Sequence, residues 1–356
     1  QKANAWTGPN PNYLNFAQLW DSTWYHIVAV SGYPSVLPMT ADGHVAQNAW
    51  AFMPGYPFLV RGLMGLTGLP WAPLSVVVSF AFSLAGAVMF YRLMRLVLPR
   101  NSALFSVVLF CVAPLSPIMQ VSYAESMQVF LLTVALYFLL KRRYLALMPV
   151  IAVMAITRPS GLAFALALAG HVVYRFVNRV REPFPIGERI LASGVAVFSG
   201  LMGLAWPAIA WLVTGSVTAY TDTELAWRAS YVGYGELVPF TSWVQGASFW
   251  IPGPLGLVVL GVVVVGFFAS LFLPSVHRLG GTLRIWLASY SLYLLAVFFP
   301  QSSTFRLLIP LFPLAGALAQ PRSRSYRIVL VLVSIIGQGV WIYYCWWVDG
   351  YDWTPP

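Results

Sequence analysis

Four ionisable side chains stand in runs whose residue types could do chemistry. Asp21 lies in Trp20-Asp21-Ser22-Thr23-Trp24-Tyr25-His26. On a helix, Asp21, Trp24, Tyr25 and Val28 fall at i, i+3, i+4 and i+7 and share one face, while Trp20, Ile27 and Val30 share another. A carboxylate held among aromatic rings can act as a general base. The plainer reading is an interfacial aromatic belt with Asp21 as a helix N-cap. Glu125, in Ser122-Tyr123-Ala124-Glu125-Ser126, stands at the end of an apolar run. A carboxylate at membrane depth is costly, so it is expected to be paired or functional. Arg158 lies in Thr157-Arg158-Pro159-Ser160-Gly161 and Arg306 in Ser303-Thr304-Phe305-Arg306-Leu307. The guanidinium fork suits a phosphate, and the alternative is an ion pair with Glu125 or another acid.

Other runs are open to two readings. Asn48-Ala49-Trp50-Ala51-Phe52-Met53-Pro54-Gly55-Tyr56-Pro57 holds two prolines and a glycine that break any long helix. It reads as a re-entrant loop packed by its aromatics, or as an aromatic platform for a sugar or prenyl chain. Glu224 and Arg228, four apart, read as a surface pair that shapes a loop. His26, His44, His171 and His277 are scattered, with no two-histidine ligand spacing. His26 and His44, near Asp21, leave a divalent metal or substrate contact open; otherwise no metal and no cofactor is expected. Cys111 and Cys345 lie in apolar runs and read as packing residues. No phosphate-cradling glycine loop suggests a nucleotide-activated donor.

Something must hold these groups in place, and composition says what. The 356 residues are 59% hydrophobic and 8% charged, with a mean hydropathy of +0.75. A soluble domain carries about 25% charged residues, so lipid is the natural solvent and helices of about 20 residues the natural element. The pattern predicts an all-α polytopic domain with ten spans at 71–98, 102–118, 122–140, 144–158, 160–178, 189–214, 252–274, 284–300, 305–320 and 326–347. Two long loops remain, 1–70 with its surface helix and 215–251 with a stretch along the interface.

The net charge of +10 would suggest nucleic acid in a soluble protein. Here its placement sets topology, and no nucleic-acid partner is expected. Arg92, Arg95, Arg100, Lys141, Arg142, Arg143, Arg175, Arg179, Arg181, Arg189, Arg278, Arg284, Arg322, Arg324 and Arg327 fall in alternate short loops. Only Lys2, Arg61, Arg158, Arg228 and Arg306 fall on the other side. The first set is therefore read as cytoplasmic. Asp21, Asp42, Glu125, Asp222, Glu224, Glu236, Asp349 and Asp352 gather on or near the opposite face, where a working site would explain them.

The run WDSTWYHIVAVSGYP, followed by NAWAFMPGYPFLVR, resembles the signature of PIG-V-type mannosyltransferases of the GT-C membrane glycosyltransferase superfamily. Its elements are Trp20-Asp21, Gly32-Tyr33 and Phe52-Met53-Pro54-Gly55-Tyr56-Pro57. The segments YAESM, TRPSGL and FRLLIPLFPLAG resemble family segments in the same order, so the resemblance covers roughly 19–320. It implies a GT-C-like bundle with one more span before Gln1, eleven in all. It implies a polyprenyl-phosphate sugar donor, mannose first, and a lipid-linked glycan acceptor, a cell-envelope glycolipid or lipoglycan, with inversion at the anomeric carbon. Asp21 would be the general base, Arg158 and Arg306 would hold the donor phosphate, and Glu125 would orient the acceptor or an arginine. Trp24, Tyr25, Trp50, Phe52 and Tyr56 would face sugar or prenyl groups, with His26 and Tyr123 at the substrate. The enzyme would be a multi-pass protein of a bacterial plasma membrane, in contact with membrane lipids, with its site on the non-cytoplasmic face. Two rivals stand beside it: an arabinofuranosyltransferase using decaprenyl-phosphate arabinose, and a lipid or sugar transporter, which would show symmetric halves and charges at the bilayer midplane.

Overall fold

A backbone in lipid must satisfy its own amides, and long apolar runs do so as helices. The computed structural model of the chain describes residues 10–235 and 237–346. Lys2, Glu236, Asp349, Asp352 and the last residue of the expected span 326–347 lie outside the described residues. Among the described residues the only β pairing is an isolated bridge between Met39 and Val45. Two helices lead, α1 (Tyr13–Ala17) and α2 (Asp21–Ser31), and a loop joins them to α3 (Gly55–Thr67). Then come α4 (Trp71–Met94), α5 (Arg100–Val112), α6 (Glu125–Leu140), α7 (Tyr144–Ala155), α8 (Gly161–Val177) and α9 (Ile186–Thr214). The second long loop folds as α10 (Ala219–Val232) and α11 (Thr241–Trp250). The chain continues through α12 (Pro254–Ser270), α13 (Pro274–His277), α14 (Gly281–Val297), α15 (Thr304–Leu307), α16 (Leu314–Leu318) and α17 (Arg324–Trp341).

The expected all-helical class holds, and the chain has helices fit to cross a membrane. The count of ten spans is not confirmed. Among the described residues, three helices are long and apolar enough to span: Trp71–Met94, Ile186–Thr214 and Arg324–Trp346. Six more are apolar but shorter: α5, α6, α7, α8, α12 and α14. The expected span 305–320 is a correction: it breaks into α15, a 3-10 turn at Ile309–Leu311, and α16. Pro310 and Pro313 lack the N–H that a continuous helix needs there.

Helices α4 and α6, α8 and α9, and α8 and α14 pack side by side around buried residues such as Phe90, Leu132, Phe164, Leu168 and Trp286. At one crossing the backbones touch. A Cβ on Gly161 would come within 2.6 Å of the Gly203 Cα, so a small pair is what lets α8 lie against α9.

Charge collects at two poles. Helix α6 begins at Glu125 and runs 16 residues, roughly 24 Å at 1.5 Å per residue. Its far end leads to Arg142, which pairs with Glu182. Arg175, at the end of α8, joins that far cluster through Glu188 at 3.3 Å. The near pole holds Asp21, Glu125, Arg158 and Arg306.

Candidate functional site

Asp21 does not cap its helix, which corrects the plainer reading of that residue. Trp20 occupies the N-cap position with φ at 61° and makes no side-chain cap bond, so Asp21 is the first helical residue of α2. Its backbone N–H donates to the Tyr123 hydroxyl at 3.0 Å, and that hydroxyl donates to the Leu19 carbonyl at 3.4 Å. With its backbone held this way, the Asp21 carboxylate accepts from the Arg306 guanidinium.

Glu125 opens α6 and is also in a first turn, where the helix dipole favours negative charge. It is 4% exposed. Its Oε1 accepts from Arg158 and lies 3.3 Å from the Arg306 Nε. Arg158 further donates to the Tyr25 hydroxyl at 3.2 Å. Burial pushes the Tyr25 hydroxyl well above its ordinary range, so it stays protonated. Arg306 stands over the Tyr123 ring, 5.5 Å from its centroid.

Two carboxylates and two guanidiniums thus converge from four separate chain segments and cancel in formal charge. The alternative of an ion pair with Glu125 holds for both arginines. Arg158 is placed by a backbone contact: the Gly55 N–H donates to the Ile156 carbonyl at 2.8 Å. A Cβ at Gly55 would meet Thr157 Oγ1 at 2.6 Å. Only glycine lets the start of α3 lie this close to the turn that carries Arg158.

The first turn of α6 also holds unused hydrogen-bonding capacity. Glu125 Oε2, Ser126 Oγ and Gln128 Oε1 are buried without a hydrogen-bond partner. Such atoms cost free energy until something bonds them. Neither Ser126 nor Gln128 stood out in the sequence, since a buried serine or glutamine in an apolar run looks like ordinary bundle packing.

Glu224 was also read too blandly. Arg228 donates to the Ser242 hydroxyl at 3.4 Å and to the Val297 carbonyl, and forms no ion pair with Glu224 among the described residues. Burial raises the Glu224 carboxyl above 4.5, against the pull of Arg228, Tyr220 and Arg158, while Asp21 raises it further. Glu224 is therefore within electrostatic reach of the four-charge cluster.

The aromatics divide by exposure. Trp24 and Trp227 are half-buried. Trp24 stacks on Phe52 with centroids 5.5 Å apart and planes 3° apart, and Trp227 stands edge-on to both at 5.5 Å. This three-ring box joins α2, the first long loop and α10; Trp227 was missed because its partners are distant in sequence. Tyr25, Phe52, Tyr56 and Tyr123 are buried, and the Tyr56 hydroxyl donates to the Ser75 carbonyl at 2.8 Å. Trp50 belongs to a different cluster. It packs on Tyr33 at 4.7 Å and Trp206 at 5.1 Å, and its Nε1 donates to the Pro34 carbonyl at 3.0 Å. The 48–57 run thus takes the packed-loop form, and Trp50 is not brought to the charged cluster.

His26 stacks on Trp71 at 5.2 Å and His44 on Tyr234 at 4.0 Å, so the two histidines serve separate contacts. Among the described residues, no group of three or more His, Cys, Asp or Glu side chains is arranged to hold a metal ion. No protein-family model matches the chain, and no curated protein matches it.

Proposed function

We propose that this protein is a GT-C-type membrane glycosyltransferase. It moves a sugar, mannose first, from a polyprenyl-phosphate donor to a hydroxyl of a cell-envelope glycolipid or lipoglycan. The observation that carries the reading is the convergence of Asp21 and Glu125 on Arg158 and Arg306. Its companions are the motif order and the charge asymmetry of the loops, which support a site on the non-cytoplasmic face; the plasma membrane is part of this proposal.

The chemistry follows from how the charges pair. A donor phosphodiester competes with the carboxylates for the two guanidiniums, which bind phosphate through paired hydrogen bonds. Arg306, on taking the phosphate, releases Asp21. The freed carboxylate accepts the proton of an acceptor hydroxyl as its oxygen attacks the anomeric carbon. The bond from that carbon to the phosphate oxygen breaks on the opposite side, so configuration inverts. The bonding electrons leave with polyprenyl phosphate, whose growing charge Arg158 and Arg306 stabilise. Glu125 Oε2, buried without a hydrogen-bond partner, can accept from a donor or acceptor hydroxyl once the ion pairs rearrange around bound substrate.

The test is transfer of labelled mannose from polyprenyl phosphate to an envelope lipid extract by purified protein, with Asp21→Asn alongside. Wild-type transfer, reduced about 10²- to 10⁴-fold in the folded variant, supports the base assignment. Transfer that survives the substitution removes it. Transfer only from decaprenyl-phosphate arabinose shifts the donor to the pentose. Failure with both donors removes the transferase reading.

A further inference from the structure

The far pole, opposite the ion pairs of the site, has two unlike halves. Ser75, at the start of α4, bonds Ser122, just before Glu125, at 2.8 Å between hydroxyls, so α4 ends at the far pole. In one half the cations meet acids: Glu182 takes Arg142 and Arg175, and Glu188 takes Arg175. The other half has no acid. Residues 92–100, 271–284 and 318–328 hold no Asp or Glu, and packing draws these segments into one corner. A Cβ on Gly316 of α16 would come within 2.6 Å of the Met94 sulfur, 3.1 Å of Leu279 and 3.3 Å of Leu98. Gln320 closes the corner. Its Nε2 donates to the Ser275 carbonyl at 2.6 Å, and its Oε1 accepts from Arg278 at 3.4 Å.

This corner carries Arg95, Arg100, Arg278, Arg322, Arg324 and Arg327, and among the described residues none of them makes an ion pair. Neutral acceptors hold three of them instead. Arg95 donates to the Leu98 carbonyl at 3.0 Å. Arg327 donates to the Pro321 and Ala319 carbonyls at 3.0 and 3.3 Å, and lies over the Phe105 ring, 4.6 Å from its centroid. Arg278 is tied to Gln320. Such bonds orient a guanidinium without neutralising it, and they leave other donors of the fork free. Position adds to the imbalance. Arg100 is the first residue of α5 and Arg324 the first of α17, where the helix dipole already disfavours a cation. Membrane orientation asks only for basic residues near the ends of spans. It does not require three connections to converge, nor their guanidiniums to be held in place.

We infer that this corner binds the headgroup of an anionic phospholipid, whose phosphate takes guanidinium forks from more than one of the three connections. A lipid fits better than a free anion because of what adjoins the arginines. Leu104 and Val108 follow Arg100 at i+4 and i+8, and Ile328 and Leu332 follow Arg324 at the same spacing. All four are exposed. Each helix thus carries an arginine at its end and an open apolar stripe beyond it, the order of a headgroup and its acyl chain. The bound lipid ties the α4–α5, α13–α14 and α16–α17 connections together. It is no part of the transfer chemistry and stands apart from the transferase reading.

The experiment titrates the full chain, in a neutral detergent, with dioleoyl phosphatidylglycerol, dioleoyl phosphatidylcholine or inorganic phosphate. It reads the rise in Tm that a bound ligand produces. Phosphatidylglycerol raises Tm saturably, and the other two do not at the same concentration. Replacing Arg322 and Arg324 together, Arg322→Gln with Arg324→Gln, raises the midpoint concentration about 10- to 30-fold, at roughly fivefold per arginine. Both side chains are exposed, so the variant keeps its packing. Arg143→Gln with Arg181→Gln removes the same charge from exposed positions of the other half. That control leaves the midpoint within about twofold, because surface charges beyond about 8 Å are screened at 0.15 M salt. Arg278→Gln, which frees Gln320, weakens binding as well. Retention of phosphatidylglycerol in native mass spectrometry repeats the comparison on folded protein alone, should a variant lose stability. Equal weakening by the control pair, or an equal response to phosphatidylcholine, shows diffuse attraction and overturns the inference. A response to inorganic phosphate equal to that of the lipid overturns it too.

Discussion

The Arg306 guanidinium bonds the Asp21 carboxylate across 285 positions of chain, and the same guanidinium lies 3.3 Å from Glu125. One cation therefore holds both carboxylates of the site. The proposed base is masked until an anion competes for its partner, and Arg306 is the group the anion must win.

Arg306→Lys tests that role. Lysine keeps the charge but is a single point donor, while the fork reaches Asp21 and Glu125 together. Donor KM is expected to rise and turnover to fall, about 10- to 100-fold in kcat/KM, with the protein still folded. The measurement is steady-state transfer at varied donor concentration. Wild-type kinetics in the lysine variant would show that the fork geometry is irrelevant.

Glu125 and Arg158 are both largely shielded, with side chains 5% and 18% exposed. Removing one partner from a buried pair costs about 3–5 kcal/mol, because the survivor is left uncompensated. Glu125→Gln and Arg158→Gln should each lower stability substantially, and the double variant should cost less than their sum. The expected coupling is about 1–3 kcal/mol. Thermal or denaturant unfolding in one detergent provides the cycle, and additive losses would mean that the pair contributes nothing beyond its separate residues.

Gly55→Ala tests how Arg158 is placed. The added Cβ would meet Thr157 Oγ1 at 2.6 Å and the Ile156 carbonyl oxygen at 2.9 Å. The carbonyl is backbone and accepts the Gly55 N–H, so the turn must move and carry Arg158 with it. A displacement of about 1 Å at a reacting centre can cost 10²-fold, so transfer should drop about 10- to 100-fold. Gly62→Ala on the same helix meets nothing within 4 Å and should leave transfer unchanged. Equal rates for both variants would sink the positioning argument.

Much of this was legible in the sequence for one physical reason: charge in an apolar chain is costly, so each ionised group must have a partner or a task. That reasoning picked out Asp21, Glu125, Arg158 and Arg306. It did not reveal which carboxylate meets which guanidinium, because those contacts close long loops and leave no local spacing. Apolar run length located the helices, but hydropathy does not show that Pro310 and Pro313 break the 305–320 stretch into short turns. Trp50 looked like a platform because Trp206, which covers it, is 156 positions away. Glu224 was read through its spacing to Arg228, whereas tertiary structure gave Arg228 the Val297 carbonyl instead. The turn between α1 and α2, where Trp20 adopts a positive φ, is likewise not announced by the sequence.

Glu224 gives the pH dependence its sign. Burial raises its pKa above 4.5 in the folded protein, so the folded state holds this proton more tightly than the unfolded chain does. Between the unfolded pKa and the higher folded one, the native state binds more protons, and stability falls as pH rises. The contribution is therefore favourable below about pH 4.5 and is lost as pH climbs through the folded pKa. Glutamine matches protonated glutamate in shape and cannot ionise. Wild type and Glu224→Gln should have similar Tm at pH 4, and the variant should become the more stable as pH is raised from 4.5 toward 7. Groups common to both proteins cancel in that difference, so a gap that opens with pH reports Glu224 alone. A gap that stays constant across the range would place the carboxylate in water, out of reach of Asp21 and Arg158, and would take Glu224 out of the site.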